Sequence, residues 1–285
     1  MFRRLATALG ASQAARELRW MRAAAAVAGA TDLDAMVARR VRGEPLQYIL
    51  GTQPFGPLNL LARPPVLIPR PETEHWVTKL ADSLAPSVHN PVSLLDLGTG
   101  SGCIPLLLCH LWPPGTVRAH AVDISPHALR LAQDNAALCG ISSRLCDPKT
   151  PHNTFSVSTA NLLAHDFAET ASRIHSSYDI ITSNPPYIPW KEYLELSRSV
   201  INFEDPKALF GGPSGLEFYH AIARFVSSKN ILKPDALVAL EVGHDQASTV
   251  ESIMLATGKF QRTEIWLDPW GKRRTVIART RADIL

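Results

Sequence analysis

The sequence has little of what marks membrane, disulfide-stabilised or metal-binding proteins. No apolar run approaches the roughly 20 residues that a membrane-spanning helix needs, so we expect no membrane segment. The 4 cysteines show no C-x-x-C spacing and the 10 histidines are scattered, which argues against a disulfide framework, a zinc site or any other metal site. We expect the cysteines to be small buried apolar residues of a reducing compartment; they are Cys103, Cys109, Cys139 and Cys146.

Charged residues are also few, at 19% of the chain, and the net charge is only +3. Such a mildly basic chain permits contact with nucleic acid but does not indicate it, so we expect no direct nucleic-acid partner. The hydrophobic content of 46% is ordinary for a globular protein with a full core. A length of 285 residues suits one large or two modest domains.

The amino-terminal segment, residues 1–30, is rich in arginine and alanine and carries a single acid, Glu17. This composition fits an organelle transit peptide. It fits an ordinary basic helix as well, because Leu18, Met21 and Ala25 form a helical stripe that could pack against a neighbour. The sequence leaves both interpretations open.

A second helix is predicted to begin at the cap Thr31-Asp32 and to end at Gly43. The two helices predict a small helical lobe over residues 1–45, which is too short to hold a core alone. Glycine and proline punctuation around short apolar runs predicts a β-hairpin linker over residues 46–70. The remaining residues, 71–285, form the predicted catalytic domain.

The segment from Val66 to Glu74 joins the linker to this domain. Pro71 can occupy a helix start, and the helix dipole favours Glu72 and Glu74 in the first turn. The acids are explained by that electrostatic preference alone. A second interpretation is that the segment forms a lid that touches cofactor or substrate.

A glycine-rich turn follows the first predicted strand, Val92 to Leu97, and precedes an apolar helix, Cys103 to Leu111. Strand, glycine loop and helix in this order form a turn in which the backbone comes close to a ligand. We therefore predict that the loop binds a cofactor; its residues are Gly98, Thr99, Gly100, Ser101 and Gly102.

The next predicted strand, Thr116 to Val122, ends at Asp123 and Ile124. An acid about 20 residues beyond the glycines can bind both hydroxyls of a ribose. Ser125 then caps a helix. Asp96 before the loop and the absence of the G-x-G-x-x-G order argue against a dinucleotide and favour S-adenosylmethionine, which has no pyrophosphate.

The third strand is predicted from Phe155 to Leu163, so its last residues, Asn161, Leu162 and Leu163, are expected beside the adenine. Asp166 is a rival for that place, because the length of the insertion before it is unclear from sequence. Each of these residues could also belong to an ordinary strand and loop.

The stretch around Asn184 organises the rest of the chain. It follows a short β-branched run, Tyr178 to Thr182, which reads as a buried strand. Pro185 and Pro186 force the chain out of the sheet at the strand's carboxyl end, where open α/β sheets bind ligands. The Asn184 amide and the free carbonyls, with the ring of Tyr187, form a rigid cluster of acceptors suited to a planar NH2 group.

The carboxyl-terminal part is predicted to alternate helices with strands and to close with an antiparallel pair. For its pieces we favour structural roles over functional ones, although Glu204 could orient the loop that holds Asn184. The predicted helices are Lys191 to Ser199, Leu216 to Ser227 and Gln246 to Ala256, and the predicted strands are Ala236 to Glu241, Thr263 to Leu267 and Thr275 to Ala278.

With these motifs in view, the chain from about Ala15 to Arg279 resembles the HemK/PrmC family of release factor glutamine N5-methyltransferases. Asn-Pro-Pro-Tyr alone is shared with nucleic-acid amino methyltransferases, whereas the stretches at 43–51 and 68–74 are more specific. The matching stretches are Gly43-Glu44-Pro45-Leu46-Gln47-Tyr48-Ile49-Leu50-Gly51, Ile68-Pro69-Arg70-Pro71-Glu72-Thr73-Glu74, Asp96 to Gly102, Asn184 to Ile188, Gly215 to Tyr219 and Glu241-Val242-Gly243.

The resemblance implies a Rossmann-like class I α/β methyltransferase with a seven-stranded, mostly parallel sheet, a helical lobe and a hairpin. It implies methyl transfer from S-adenosylmethionine to the glutamine amide in the Gly-Gly-Gln loop of a class-1 peptide chain release factor. Asn184, Pro185 and Tyr187 would then be catalytic and, with Pro186, would bind the substrate. The short lobe and Glu17-Leu18-Arg19-Trp20 are similar to fungal mitochondrial members, so a mitochondrial matrix location is expected, with the cytoplasm as the alternative.

The chain departs from the family in its shortened lobe and in Asn161, where an acid is usual. Three other functions stay open at this point. One is a nucleic-acid methyltransferase acting on adenine or guanine amino groups, which the low net charge hardly supports. The others are a non-catalytic cofactor-binding module, which the intact Asn184 motif disfavours, and a more distant nicotinamide oxidoreductase.

Overall fold

The computed structural model describes residues 1–28, 32–143 and 151–282. Thr31 of the predicted helix cap and Cys146 lie outside these described residues. Asp32 lies within them and performs the predicted capping, because its side chain accepts from the Asp34 backbone N–H. No helix in the described ranges is both long and apolar enough to cross a bilayer.

The amino-terminal segment packs as the predicted helical lobe. Its helices are α1 Phe2–Leu9, α2 Ala11–Ala28, α3 Leu33–Val41 and α4 Leu46–Leu50. Leu18 and Met21 are buried in a shared cluster, with Ala25 packed against it, as the stripe predicted. The acid of the segment, Glu17, is buried and accepts two hydrogen bonds from Arg40, at 2.6 and 3.1 Å.

The predicted start of the linker at residue 46 is wrong, because α4 belongs to the lobe. Leu46 and Ile49, three residues apart on one helix face, are buried in the lobe cluster. Gly51 then ends the helix in the left-handed conformation, at φ 80°. The hairpin itself is present and shorter than predicted, with β1 Thr52–Phe55 paired antiparallel to β2 Leu58–Leu61.

Seven strands of the described chain form one sheet in the order β5-β4-β3-β6-β7-β9-β8. The first five in this order are parallel, and β9 runs antiparallel to both of its neighbours. The strands are β3 Val92–Leu97, β4 Val117–Asp123, β5 Thr154–Thr159, β6 Tyr178–Ser183, β7 Leu232–Glu241, β8 Phe260–Leu267 and β9 Arg273–Thr280.

Helices cover both faces of the sheet, which therefore separates two apolar clusters. Leu94 and Ile180 point into one cluster, and their neighbours Leu95 and Ile181 point into the other, as strand alternation requires. The helices are α5 Pro71–Asp82, α6 Cys103–Leu111, α7 Pro126–Leu138, α8 Phe167–Ile174, α9 Trp190–Tyr193, α10 Arg198–Ile201, α11 Pro206–Leu209, α12 Glu217–Ser227 and α13 Ala247–Leu255. The first cluster packs against α5, α6 and α7, and the second against α8, α12 and α13.

Several predicted elements of the catalytic domain differ from the observed ones, and β7, for example, begins at Leu232 instead of Ala236. The helix predicted from Lys191 to Ser199 is divided into α9 and α10, because Ser197 takes an extended conformation before α10. The third strand ends at Thr159 instead of Leu163. Beyond it, the Asn161 side chain accepts the Leu163 backbone N–H at 3.0 Å, which closes a turn in place of the strand.

Candidate active site

The site begins where the sheet order reverses. Strand β3 continues along the chain to β4 and β5, and the chain then returns to place β6 on the other side of β3. Leu97 pairs with Ser183, so the residues that follow them, Gly98 and Asn184, leave adjacent strand ends side by side. This reversal is the place where open α/β sheets form a ligand crevice.

A cavity of about 430 Å³ lies above these strand ends. It is walled by the glycine loop, the ends of β4 and β5, the Asn184 loop and the segments around residues 66 and 205–218. Its lining residues are Val66, Leu67, Leu97, Gly98, Gly100, Val122, Asp123, Ile124, Ser125, Ala128, Ala160, Asn161, Leu162, Leu163, Asn184, Pro185, Pro186, Asp205, Lys207, Ala208, Phe210, Gly212, Glu217 and Phe218.

Asp123 stands at the end of β4 with its carboxylate held by the backbone. The Gly100 N–H donates to Oδ2 at 2.9 Å and the Ser125 N–H donates to Oδ1 at 2.8 Å. Burial raises the pKa of Asp123, and the two backbone donors act against that shift. Each oxygen can accept a second hydrogen bond, so this fixed carboxylate can still bind a pair of ligand hydroxyls.

The glycine loop divides into residues that face the cavity and residues that lie behind it. Gly98 and Gly100 line the cavity at φ 70° and 56°. Thr99, Ser101 and Gly102 are outside the lining. Gly102 instead allows α6 to approach α7, because a Cβ there would lie 3.1 Å from the Cβ of Ala132.

The turn after β5 provides the wall expected beside an adenine. Asn161 and Leu162 line the cavity together with Ile124, which is 48% exposed. Asp166, the rival for this position, is not in the lining and instead precedes α8. The structure therefore places Asn161, and not Asp166, at this wall.

A buried carboxyl, Asp96, lies at the end of β3 directly before the glycine loop. Thr182 Oγ1 donates to its Oδ1 at 2.7 Å. Within the described part of the chain, Asp96 Oδ2 and Thr99 Oγ1 are buried without a hydrogen-bond partner. Burial raises the pKa of Asp96 to about 6. Asp96 is fully buried and is not in the lining of the cavity, so it does not face a ligand there.

A second cavity, of about 190 Å³, adjoins the first. Both are lined by Leu67, Asn184, Pro185 and Ala208, so Asn184 and Pro185 stand where the two cavities meet. Tyr187 lines the second cavity, and burial raises its pKa to about 12, so its ring remains a neutral phenol.

The loop after Asn184 is fixed by contacts with distant parts of the chain. Gln246 Nε2 donates to the Tyr187 carbonyl at 2.9 Å, and the Ile188 N–H donates to the Leu209 carbonyl at 3.1 Å. Gly211 lies directly against the loop, since a Cβ there would be 2.7 Å from the carbonyl oxygen of Pro186. These contacts hold the loop rigid, as a binding site for a small planar group requires.

Glu204 acts at a different place from the one predicted. It accepts from Arg70 Nη2 with both carboxylate oxygens, at 2.7 and 2.6 Å. The side chains that contact the Asn184 loop through hydrogen bonds include Gln246, which donates to the Tyr187 carbonyl, and Thr73, which accepts from Asn184 Nδ2. Glu204 therefore orients Arg70, which lines the second cavity.

Sequence reasoning missed the network beneath Asn184, and it offered a roof above the cavity as one of two interpretations of the segment from Val66 to Glu74. Asn184 Nδ2 donates to Thr73 Oγ1 at 3.3 Å, and Thr73 Oγ1 donates to Glu241 Oε2 at 2.6 Å. The roof contains Val66 and Leu67, at the start of the segment interpreted as a lid. Only contacts between strand ends and α5 reveal the network, because its members lie more than 100 residues apart in the sequence.

Two family models match this chain, one over the helical lobe and one over the first part of the catalytic domain. A family model of the PrmC N-terminal domain matches residues 5–51, which are the helical lobe including α4. A family model of the ribosomal protein L11 methyltransferase (PrmA) matches residues 73–180. The second match ends before Asn184, so it concerns the cofactor half of the sheet and not the acceptor loop.

Curated relatives match most of the chain. The release factor glutamine methyltransferase of Moorella thermoacetica is 35% identical over 247 residues, which cover 87% of this chain and 79% of that protein. The protein of the same name from Koribacter versatilis is 38% identical over 223 residues, covering 78% and 70%. A solved methyltransferase from Pyrococcus furiosus, 14% identical, aligns with a TM-score of 0.51 over 79% of this chain and 89% of its own, which concerns the fold alone.

Proposed function

This chain belongs to the release factor glutamine methyltransferase family, and we propose that its substrate is the glutamine of the Gly-Gly-Gln loop of a class-1 peptide chain release factor. The enzyme methylates a glutamine side-chain amide nitrogen and uses S-adenosyl-L-methionine. The observation that carries the proposal is the position of Asn184 and Pro185 at the junction of the two cavities. The biological consequence would be modification of the translation termination machinery.

The larger cavity fits the cofactor. Asp123 offers a fixed carboxylate for ribose hydroxyls, and Asn161 with Leu162 forms the adenine wall. Gly98 and Gly100 allow close approach of the ligand to the backbone. When bound, S-adenosylmethionine supplies a methyl group activated by its positively charged sulfur.

The chemical task of the protein is to present a weak nucleophile correctly. The lone pair of a carboxamide nitrogen is delocalised into its carbonyl, so the free amide reacts poorly. Asn184 Oδ1 and the Pro185 carbonyl are acceptors for the two N–H groups of the substrate amide. Accepting both hydrogens fixes the NH2 group and leaves its lone pair directed towards the larger cavity, a gain that is mainly one of orientation.

The smaller cavity can hold the end of a glutamine side chain. Its volume is about 190 Å³, and Tyr187 and Ile188 supply apolar surface for the planar carboxamide. As the amide nitrogen gains positive charge in the transition state, the two acceptor oxygens stabilise it without moving. Asn184, Pro185 and Tyr187 are the proposed catalytic residues. Pro186 restricts the preceding residue, Pro185, to an extended backbone conformation.

The test is mass spectrometry of a Gly-Gly-Gln tryptic peptide after incubation of a class-1 release factor with the enzyme and cofactor. We expect a methyl mass increase on the glutamine. Asn184→Ala should bind the cofactor normally but turn over at least about 10-fold more slowly. Asn59→Ala, at an exposed hairpin position, is the matched control. Methylation of RNA offered in the same reaction, with no change in the peptide, would refute the proposal.

We also propose a mitochondrial location, on the basis of the arginine-rich, acid-poor amino-terminal segment. Imaging of the chain with a carboxyl-terminal fluorescent tag checks this, with import into isolated mitochondria as a second measurement. A purely cytoplasmic signal would contradict it. Protein sequencing of the imported chain would show whether the segment that contains Leu5 and Ala14 of the lobe cluster is retained.

A further inference from the structure

We propose that Thr73 is a positioning residue, which fixes the Asn184 amide with its oxygen towards the substrate cavity. This inference rests on the proposed function for its catalytic consequence, but the geometry it describes can be measured without activity. It gives a role to a buried carboxylate, Glu241, that the methyl transfer itself does not use.

The direction of the hydrogen bonds decides the orientation of Asn184. Thr73 has one hydroxyl hydrogen, and its Oγ1 lies 2.6 Å from Glu241 Oε2. The same oxygen accepts the indole N–H of Trp76 at 2.9 Å, and an indole nitrogen can only donate. A proton on this carboxyl would therefore go to the other oxygen, and Thr73 remains a donor towards Glu241.

A hydroxyl that has already donated its hydrogen can only accept from its other neighbours. The group of Asn184 that faces Thr73 Oγ1, at 3.3 Å, must then be the NH2 and not the oxygen. Without Thr73 the two ends of the carboxamide would differ little in energy, since they are nearly equal in shape. With Thr73, Oδ1 is free to accept from the substrate.

Glu241 is placed to impose this direction. It ends β7, is 2% exposed, and receives donors from Thr73 and Trp76, one turn apart on α5. Burying a carboxylate is costly unless it is hydrogen-bonded. Loss of either donor to Glu241 would therefore be costly, which keeps Thr73 and Trp76 in place. The first turn of α5 is thereby fastened to the end of the sheet directly beside Asn184.

The first measurement needs no catalysis. In nuclear magnetic resonance spectra, the Asn184 side-chain NH2 signal is assigned by its loss in Asn184→Ala. We expect its exchange with solvent to be at least about 10-fold slower than that of exposed Asn59, because one N–H is bonded. Thr73→Val should shift the signal and speed its exchange, and Thr73→Ser should restore both. A freely exchanging signal in the unaltered protein, or none of these changes in Thr73→Val, would overturn the proposal.

The second measurement separates positioning from a general structural role. Thr73→Val should lower kcat on the release factor by about 10-fold, and its cofactor Kd should stay within about 2-fold of that of the unaltered enzyme. The kcat of Thr73→Ser should stay within about 3-fold of the unaltered value. Thr78→Val is the control, since it makes the same substitution on α5 at a hydroxyl that donates to the backbone carbonyl of Glu74.

A double-mutant cycle completes the test. In an Asn184→Ala background, Thr73→Val should cost no more than about 2-fold further, because its effect acts through Asn184. An additive loss of about 10-fold in that background, or an equal loss in Thr78→Val, would overturn the proposal. If the unaltered enzyme did not methylate the release factor, the proposed function would fail, while the exchange measurement would still decide the positioning.

Discussion

Gly211 supports the acceptor loop by having no side chain. It lies between α11 and α12, and its N–H donates to the Ile188 carbonyl at 2.9 Å. A Cβ added at Gly211 would lie 2.7 Å from the Pro186 carbonyl oxygen and 2.7 Å from the Tyr187 Cα. Both of these atoms are backbone, so no side-chain rotation can relieve the overlap.

The size of the effect follows from these distances. An ordinary contact to a carbon atom is about 3.5 Å, so Gly211→Ala must push the loop by about 0.8 Å. Misplacement of reacting groups by about 1 Å can cost about 100-fold in rate. We therefore expect kcat to fall by about 10-fold to 100-fold. The cofactor Kd should stay within about 3-fold, because Asp123 and the glycine loop are not displaced.

The assay compares kcat with release factor as substrate and the cofactor Kd from calorimetry. Gly258→Ala is the matched control, because Gly258 has φ 69° and open space around its Cβ position. It lies before β8, whose first residue pairs with Thr280 at the end of β9, whereas Glu241 pairs with Thr275 near the other end of that strand. That variant should lose about 1 kcal/mol of stability and none of its turnover. Unchanged kcat in a folded Gly211→Ala enzyme would refute the reasoning.

Three further predictions concern charge. Asp123→Ala should raise the cofactor Kd by at least about 10-fold if the carboxylate accepts from the ribose hydroxyls as proposed. Calorimetry that shows unchanged binding would exclude that role. Burial raises the pKa of Asp96 from 3.8 to about 6, so the folded state binds this proton more tightly and stability falls as pH rises between these values. Asp96→Asn should abolish that loss of stability, which amounts to up to about 3 kcal/mol. If the free energy of unfolding measured in urea changed equally with pH in both proteins, the prediction would be wrong. Glu17→Ala leaves the half-buried Arg40 with the Glu44 carbonyl as an acceptor but without a carboxylate. It should lower the free energy of unfolding by about 3 kcal/mol in chemical denaturation, whereas a change under about 1 kcal/mol would mean that solvent replaces the pair.

Much of the fold could be predicted from local patterns. The strand Val92 to Leu97 and the helix Cys103 to Leu111 have the predicted ends, because an apolar run and a glycine turn define them. Where local patterns competed with packing, the prediction failed. Leu46 to Leu50 became helical because Leu46 and Ile49 fill the lobe cluster, and Asn161 left the strand because its side chain closes a turn.

The sequence by itself determined the order of elements and the chemistry at the strand ends. Asn184 before two prolines and Asp123 at the end of an apolar run could be read directly, since backbone restrictions and burial act over a few residues. Only the tertiary structure decided which groups meet. Thr73 and Glu241 are separated by 168 residues, and their bond depends on how α5 crosses the end of β7. Local propensity carries no information about such a crossing, because packing energy is set between distant segments.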